Sequence, residues 1–167
     1  MPASGTRARD IVIRMSLYFV LATWFGVGKF RYAPGSIGSL TALPLAWWLS
    51  NSFGSQTLLS VSVILFIIGV WASENYSKNI GQPDPGSVVI DEVAGQLFTL
   101  CFVTVDLWTL AAGFILFRFF DITKPWPIYW VDRRIKGGFG IMLDDIIAAI
   151  FAMPILYLLE IYVFQWR

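Results

Sequence analysis

Five carboxylates set the chemical problem in this chain. Asp91 and Glu92 stand side by side in VVIDEVAGQ, Asp121 closes FRFFDITKP, and Asp144 and Asp145 open the apolar run LDDIIAAIF, where they are expected to cap the start of the last helix. Ionisable side chains in such surroundings cost about 2.5–3.5 kcal/mol each on membrane-insertion scales, which marks them as functional candidates. Gathering several like charges raises that cost unless a cation neutralises them. Hard oxygen donors with no histidine or cysteine beside them suit Mg²⁺ or Mn²⁺ rather than zinc. Local pairing is the competing explanation, and for Asp121 it is a real one: Arg118 and Lys124 each lie three residues away, within reach on a helix. Asp144–Asp145 has no base within four residues and Asp91–Glu92 none within ten, so the metal explanation is preferred there.

A second set of residues suits phosphate. In KFRYAPGSIGS, Gly35 and Gly38 are expected to expose backbone N–H groups, with Ser36 and Ser39 adding hydroxyls just before a helix. A helix N-terminus of that kind holds anions, and Lys29 and Arg31 stand beside it. A Pro-Gly turn that merely opens a helix has the same pattern. Arg118 and Lys124 are read as further phosphate contacts. A carboxylate-bound divalent ion, two cations and an anion-binding turn describe phosphoryl chemistry on an anionic lipid. The remaining acids have simpler explanations. Glu74 pairs with Lys78 four residues on, Asp84 belongs to the PDPG turn, and Asp132 is read as a surface charge beside Arg133.

Absences narrow the chemistry. The chain has no histidine, which excludes phosphohistidine intermediates and histidine-ligated zinc. Its one cysteine, Cys101, has leucine six residues on instead of the arginine of cysteine phosphatases, and is expected to be packed in the interior. No Asp-x-Asp pair of the haloacid-dehalogenase type occurs.

The elements that must hold these residues are apolar helices. Hydrophobic residues make up 57% of the 167 and charged residues 14%, too little polar surface to cover a compact body in water. The expected architecture is all-α, a polytopic membrane bundle with short, partly re-entrant or interfacial helices, forming a single domain over 1–167. Crossings are expected at 37–53, 57–73, 88–103, 107–120 and 143–164, the first two paired as a hairpin around NSFGSQT and the next two around Asp106, with the short apolar run 15–27 lying in the interface or re-entering instead of crossing. The segment KPWPIYWVDRRIKGG is also read as interfacial. Ile128, Val131 and Ile135 form its apolar stripe, and Trp126, Tyr129 and Trp130 are suited to headgroup depth.

Arg118, Lys124, Arg133, Arg134 and Lys136 crowd one loop, whereas 51–57 and 104–107 carry no Lys or Arg. The positive-inside rule places the basic loop in the cytoplasm, together with residues 1–14 and their Arg7, Arg9 and Arg14. All five carboxylates then come to one membrane face. Net charge of +1 and the lack of a basic tract give no sign of nucleic acid.

Taken in order, FGVGKFRYAPGSIGS, GSVVIDEVAGQ, FRFFDITKPWPI and GGFGIMLDDIIAA resemble the motifs of the phosphatidylglycerophosphatase A family, over roughly Phe25 to Ala149. The resemblance implies a Mg²⁺-dependent phosphatase of the bacterial inner membrane that converts phosphatidylglycerophosphate to phosphatidylglycerol and inorganic phosphate. By position it implicates Pro34, Gly35, Ser36 and Gly38 in substrate binding. It assigns Asp91, Glu92, Arg118, Asp121, Lys124, Asp144 and Asp145 to catalysis, the five acids also as metal ligands. Pro125, Pro127, Gly138 and Gly140 match the same motifs. Ser36 stands where relatives often have threonine, and Lys136 where some have histidine.

Two rival functions fit the residues less well. A CDP-alcohol phosphotransferase needs an Asp-Gly-x2-Ala-Arg signature that this chain lacks. A cation carrier would line a transport path with acids, whereas these gather at one face.

Overall fold

A computed structural model describes residues 16–163. The expected cytoplasmic N-terminal segment, with its three arginines, lies outside those residues. The described residues form seven α-helices and no strand: α1 (Leu17–Ala22), α2 (Pro34–Phe53), α3 (Gln56–Ile80), α4 (Ile90–Thr99), α5 (Leu107–Thr123), α6 (Ile128–Arg134) and α7 (Gly137–Tyr162). A single 3₁₀ turn, Val27–Lys29, follows α1.

The hairpin expected around NSFGSQT is present. Gly54 at φ 88° stops α2 and donates its N–H to the Ser50 carbonyl, a turn geometry that side-chain-bearing residues rarely adopt. The second hairpin turns at Asp106, whose carboxylate accepts from Trp108 and Thr109 N–H at 2.9 and 2.8 Å while the Thr109 hydroxyl accepts the Asp106 N–H. This reciprocal cap fixes the start of α5. At the same end the Thr104 N–H donates to Glu160 Oε1 at 2.6 Å, tying the turn to the far end of α7. Leu49, Leu58, Leu100, Val103, Val105 and Leu156 pack there as one apolar cluster, closing the end of the bundle opposite the acids.

The centre of the bundle departs from the expected crossings. The segment 88–103 holds only the ten-residue α4, which rises about 15 Å, half the thickness of a bilayer core. It is packed on several sides by α2, α3 and α7, and Ile90, Val93, Ala94, Gly95, Gln96, Leu97 and Thr99 are all buried. Half a helix sheathed in protein can end in irregular backbone at depth, because its partners cover it. The last helix also begins earlier than expected, at Gly137 instead of Leu143.

Two helices, α3 and α7, are long and apolar enough to cross a membrane. Only 28% and 39% of their apolar windows are buried, so most of that surface faces outward. Ile64, Ile67 and Trp71 on α3, Ile115, Phe119 and Ile122 on α5, and Ile150, Ile155 and Leu158 on α7 are all exposed. An apolar exterior of this extent is compatible with lipid.

Helix α6 carries two of the three residues of the expected apolar stripe, with Ile135 half-buried just beyond its end. Ile128 and Val131 are buried, while Trp126, Tyr129 and Trp130 are exposed. The first apolar run is clipped to the rest of the fold by Val89 N–H donating to the Ala22 carbonyl, and by Lys29 Nζ donating to the Tyr76 hydroxyl at 2.5 Å. Cys101 is buried, as its apolar setting required.

Candidate active site

The site is built where the starts of α4 and α7 meet the end of α5. Asp91 and Glu92 occupy the first turn of α4, and Gly95 one turn on lets α7 approach closely, since a Cβ there would sit 3.1 Å from the Asp145 carbonyl. One carboxylate oxygen each of Asp91, Glu92 and Asp145 then falls within 4.8 Å of the others. These residues line a cleft of about 180 Å³ together with Asp121, Lys124, Asp132, Asp144 and Lys136.

The five acids divide into two groups. Asp91, Glu92 and Asp145 converge as a set of oxygens, whereas Asp121 and Asp144 are each held by a cation. Arg118 Nη1 lies 2.6 Å from Asp121 Oδ2 and 3.7 Å from Glu92 Oε1, and donates to the Ser39 hydroxyl at 3.5 Å. Lys124 Nζ lies 2.6 Å from Asp144 Oδ2 and 2.7 Å from Asp132 Oδ1. Lys124 reaches them because it ends α5 in the left-handed region, φ 41°, and Pro125 prevents the helix from continuing. Burial pulls the Lys124 ammonium down, but the carboxylates of Asp144 and Asp132 more than offset it and hold its pKa above the ordinary lysine value. It is a fixed positive charge.

The donor set fits a hard divalent cation. Glu92 Oε2, Asp144 Oδ1 and Asp145 Oδ2 are buried without a hydrogen-bond partner among the described residues, a costly state for carboxylate oxygens that a metal ion relieves. All the converging donors are carboxylate oxygens, the chemistry of Mg²⁺ or Mn²⁺ sites. The cluster is thus able to hold a metal ion.

Several sequence expectations change. Asp144 and Asp145 do not cap the last helix: they are its eighth and ninth residues, beyond the first turn to which the helix dipole is confined. The N-terminus of α7 is satisfied instead by Glu74, whose Oε2 accepts the Gly138 N–H at 2.6 Å while its Oε1 keeps the expected pair with Lys78 at 2.9 Å.

The glycine turn is also different. Pro34 is already the first residue of α2, so Gly35, Ser36 and Gly38 lie within the helix and not in a loop before it. Gly38, a turn inside, packs against Val89 and is no free anion donor, and Gly35 is buried against the Glu92 carboxylate and Arg118. Neither glycine lines the cleft. Arg118 does not line it either; its guanidinium is engaged behind Glu92, so of the two expected phosphate contacts Lys124 is the one that faces the cleft.

Asp132, expected as an idle surface charge, is the partner of Lys124, and the Asp84 turn forms part of the cleft wall. No local spacing rule joins Lys124 to a residue eight positions on across two prolines, so this pairing had no sequence signal.

Comparison with known proteins agrees with the motif resemblance. The model of the family described as Phosphatidylglycerophosphatase A matches residues 20–160. The chain is similar to the Phosphatidylglycerophosphatase A of Escherichia coli (strain K12), 43% identical over 142 residues that cover 84% of this chain and 81% of that protein. The Phosphatidylglycerophosphatase A of Haemophilus influenzae is 37% identical over 142 residues, 84% and 87% of the two chains. A Bacteroides thetaiotaomicron protein, named provisionally as a phosphatidylinositol-3-phosphatase, is 33% identical over 140 residues, 80% and 87%. No solved structure matches at a significant level. With its described fold and acidic cleft lying almost wholly within the matched residues, this chain belongs to the phosphatidylglycerophosphatase A family and is a phosphoric monoester hydrolase.

Proposed function

We propose that the chain hydrolyses phosphatidylglycerophosphate to phosphatidylglycerol and inorganic phosphate, in a Mg²⁺-dependent reaction at the α4–α7 cleft. The observation that carries the proposal is the convergence of Asp91, Glu92 and Asp145, the last two with buried, unpartnered oxygens, in a chain of this family. Asp91, Glu92 and Asp145 would hold the Mg²⁺. Bound there, the ion supplies charge neutralisation at the phosphate and a water of lowered pKa.

The chain's own groups supply the rest. Lys124 carries three N–H donors, two of which point to Asp132 and Asp144, leaving one for a phosphate oxygen. Its raised pKa makes it an electrostatic contact and not a proton donor. Arg118, itself paired with Asp121, braces Glu92 from behind, fixing the carboxylate against α2. One carboxylate of the cleft accepts the proton of the attacking water as the new P–O bond forms. The P–O bond to the glycerol breaks, and the proton passes to the leaving oxygen, giving an alcohol and phosphate.

The lipid substrate and the apolar exterior support a multi-pass placement in the bacterial inner membrane. The basic residues around the cleft favour its opening to the cytoplasm. Exposed Trp126, Tyr129, Trp130 and Phe139 stand at the same end of the bundle, at the depth where a headgroup would enter.

Phosphate release from phosphatidylglycerophosphate in detergent micelles tests the proposal. Chelation by EDTA should abolish turnover and Mg²⁺ restore it, and Asp91→Asn, Glu92→Gln and Asp145→Asn should each lower kcat by orders of magnitude. Full activity in chelator would refute the metal assignment.

A further inference from the structure

We infer that Asp132 is a positioning residue for the reaction, acting through Lys124. The inference rests on Lys124 being the phosphate contact of the proposed site. Lys124 leaves α5 in a left-handed conformation, and its long side chain has no helix to set its direction. Two carboxylates set it instead. Asp144 lies on α7 and Asp132 on α6, and Lys124 Nζ is strung between them at 2.6 and 2.7 Å.

With one carboxylate the ammonium would settle against it. With two, on different helices, it is held between them inside the cleft. The Lys124 side chain remains 29% exposed, so the third N–H is open to the cleft. Asp144 is almost closed off at 9%, whereas Asp132 is 31% exposed and stands at the cleft wall.

Asp132 is itself well fixed. It follows Val131, which with Ile128 anchors α6 to the bundle, and its carbonyl accepts Lys136 Nζ at 2.7 Å. The outward face of the same short helix bears Tyr129 and Trp130. The element that meets the headgroup layer therefore also holds the phosphate-binding ammonium in register.

This arrangement makes an unusual demand on Asp132. It is an anion beside the entry route of a dianionic phosphate, so it opposes substrate binding while aligning the group that grips it. Replacing it by the isosteric Asn should therefore lower kcat by 10- to 100-fold, the scale of an ångström-sized misplacement. KM should stay the same or fall, because one repelling charge is gone. A merely structural residue would lower the yield of folded enzyme without that split.

The test is a double-mutant cycle with Lys124→Gln, measured as phosphate release from phosphatidylglycerophosphate in detergent with Mg²⁺. Enzyme is kept in excess so that slow variants remain measurable. If Asp132 acts through Lys124, Asp132→Asn costs 10- to 100-fold in the wild-type background and little in the Lys124→Gln background. Equal losses in both backgrounds, or near-wild-type kcat for Asp132→Asn, would overturn the inference. Full activity of Lys124→Gln alone would instead overturn the assignment of Lys124 as phosphate contact, so the two failures are told apart. Should Asp132→Asn fail to elute as a folded species in gel filtration, Asp132→Glu serves. It keeps the charge but shifts the ammonium, so kcat should fall with KM retained, and wild-type kcat would overturn the inference.

Discussion

Gly35→Ala is the most searching single substitution in this site. Gly35 sits in the first turn of α2, buried against the acidic cluster. An added Cβ would overlap Glu92 Oε1, stand 2.9 Å from Glu92 Cδ, and lie 3.2 Å from Arg118 Nη1. The obstructing atoms are the far ends of side chains, so the backbone of α2 need not move. The overpacking should cost about 1–3 kcal/mol of stability, less if Glu92 swings freely. The Glu92 carboxylate, however, must retreat by roughly 1–1.5 Å to restore contact distance, a displacement of the size that costs about 100-fold in rate when a reacting geometry is lost. The variant should therefore be well folded, with kcat for phosphatidylglycerophosphate reduced about 100-fold and a higher Mg²⁺ concentration needed for half-maximal activity. Thermal unfolding in detergent and a Mg²⁺ titration of phosphate release measure the two sides. Wild-type kcat with unchanged Mg²⁺ dependence would refute the argument, since it would mean that the position of the Glu92 carboxylate does not matter.

The second prediction concerns Arg118, where one nitrogen makes all three polar contacts, to Asp121, Glu92 and Ser39. A lysine ammonium can imitate a single nitrogen, so Arg118→Lys should keep activity within about tenfold while Arg118→Ala loses about 100-fold or more, the buried carboxylates being left without a counter-charge. Equal losses in the two variants would instead indicate bidentate recognition of substrate by the guanidinium. The third concerns sidedness: in a Cys101→Ala background, Ser55→Cys in the α2–α3 turn and Gln82→Cys at the cleft end should react with an impermeant thiol reagent from opposite sides of the membrane. Labelling of both from one side would refute the placement of the two turn ends across the bilayer.

Sequence alone determined the chemistry available to this protein. The lack of histidine, the single apolar cysteine and five carboxylates set in greasy segments leave oxygen-ligand chemistry as the main option, and four motifs in order carry the family. Both hairpins were legible because their signals are local: the charge-free NSFGSQT break between two apolar runs, and Asp106 between the next two. The amphipathic pattern of α6 was local as well. What tertiary structure decided is how the acids share the work. Asp121 kept a neighbour three residues away, which helix geometry already allowed. Asp144 gained Lys124 from twenty residues upstream, and Lys124 gained Asp132 across a proline-broken turn, pairings that depend on how α5, α6 and α7 cross. Likewise Gly35 and Gly38 read as an open anion turn, because sequence shows that a glycine lacks a side chain but not which neighbour fills the space. Here the neighbours are Glu92 and Val89, and only packing of α2 on α4 could choose them. Composition and short-range spacing are properties of the chain, whereas the partner of a buried charge is a property of the packed helices. That is why an acidic cluster able to hold a metal ion was readable in one dimension, and its division into converging oxygens, cation-paired acids and a held ammonium was not.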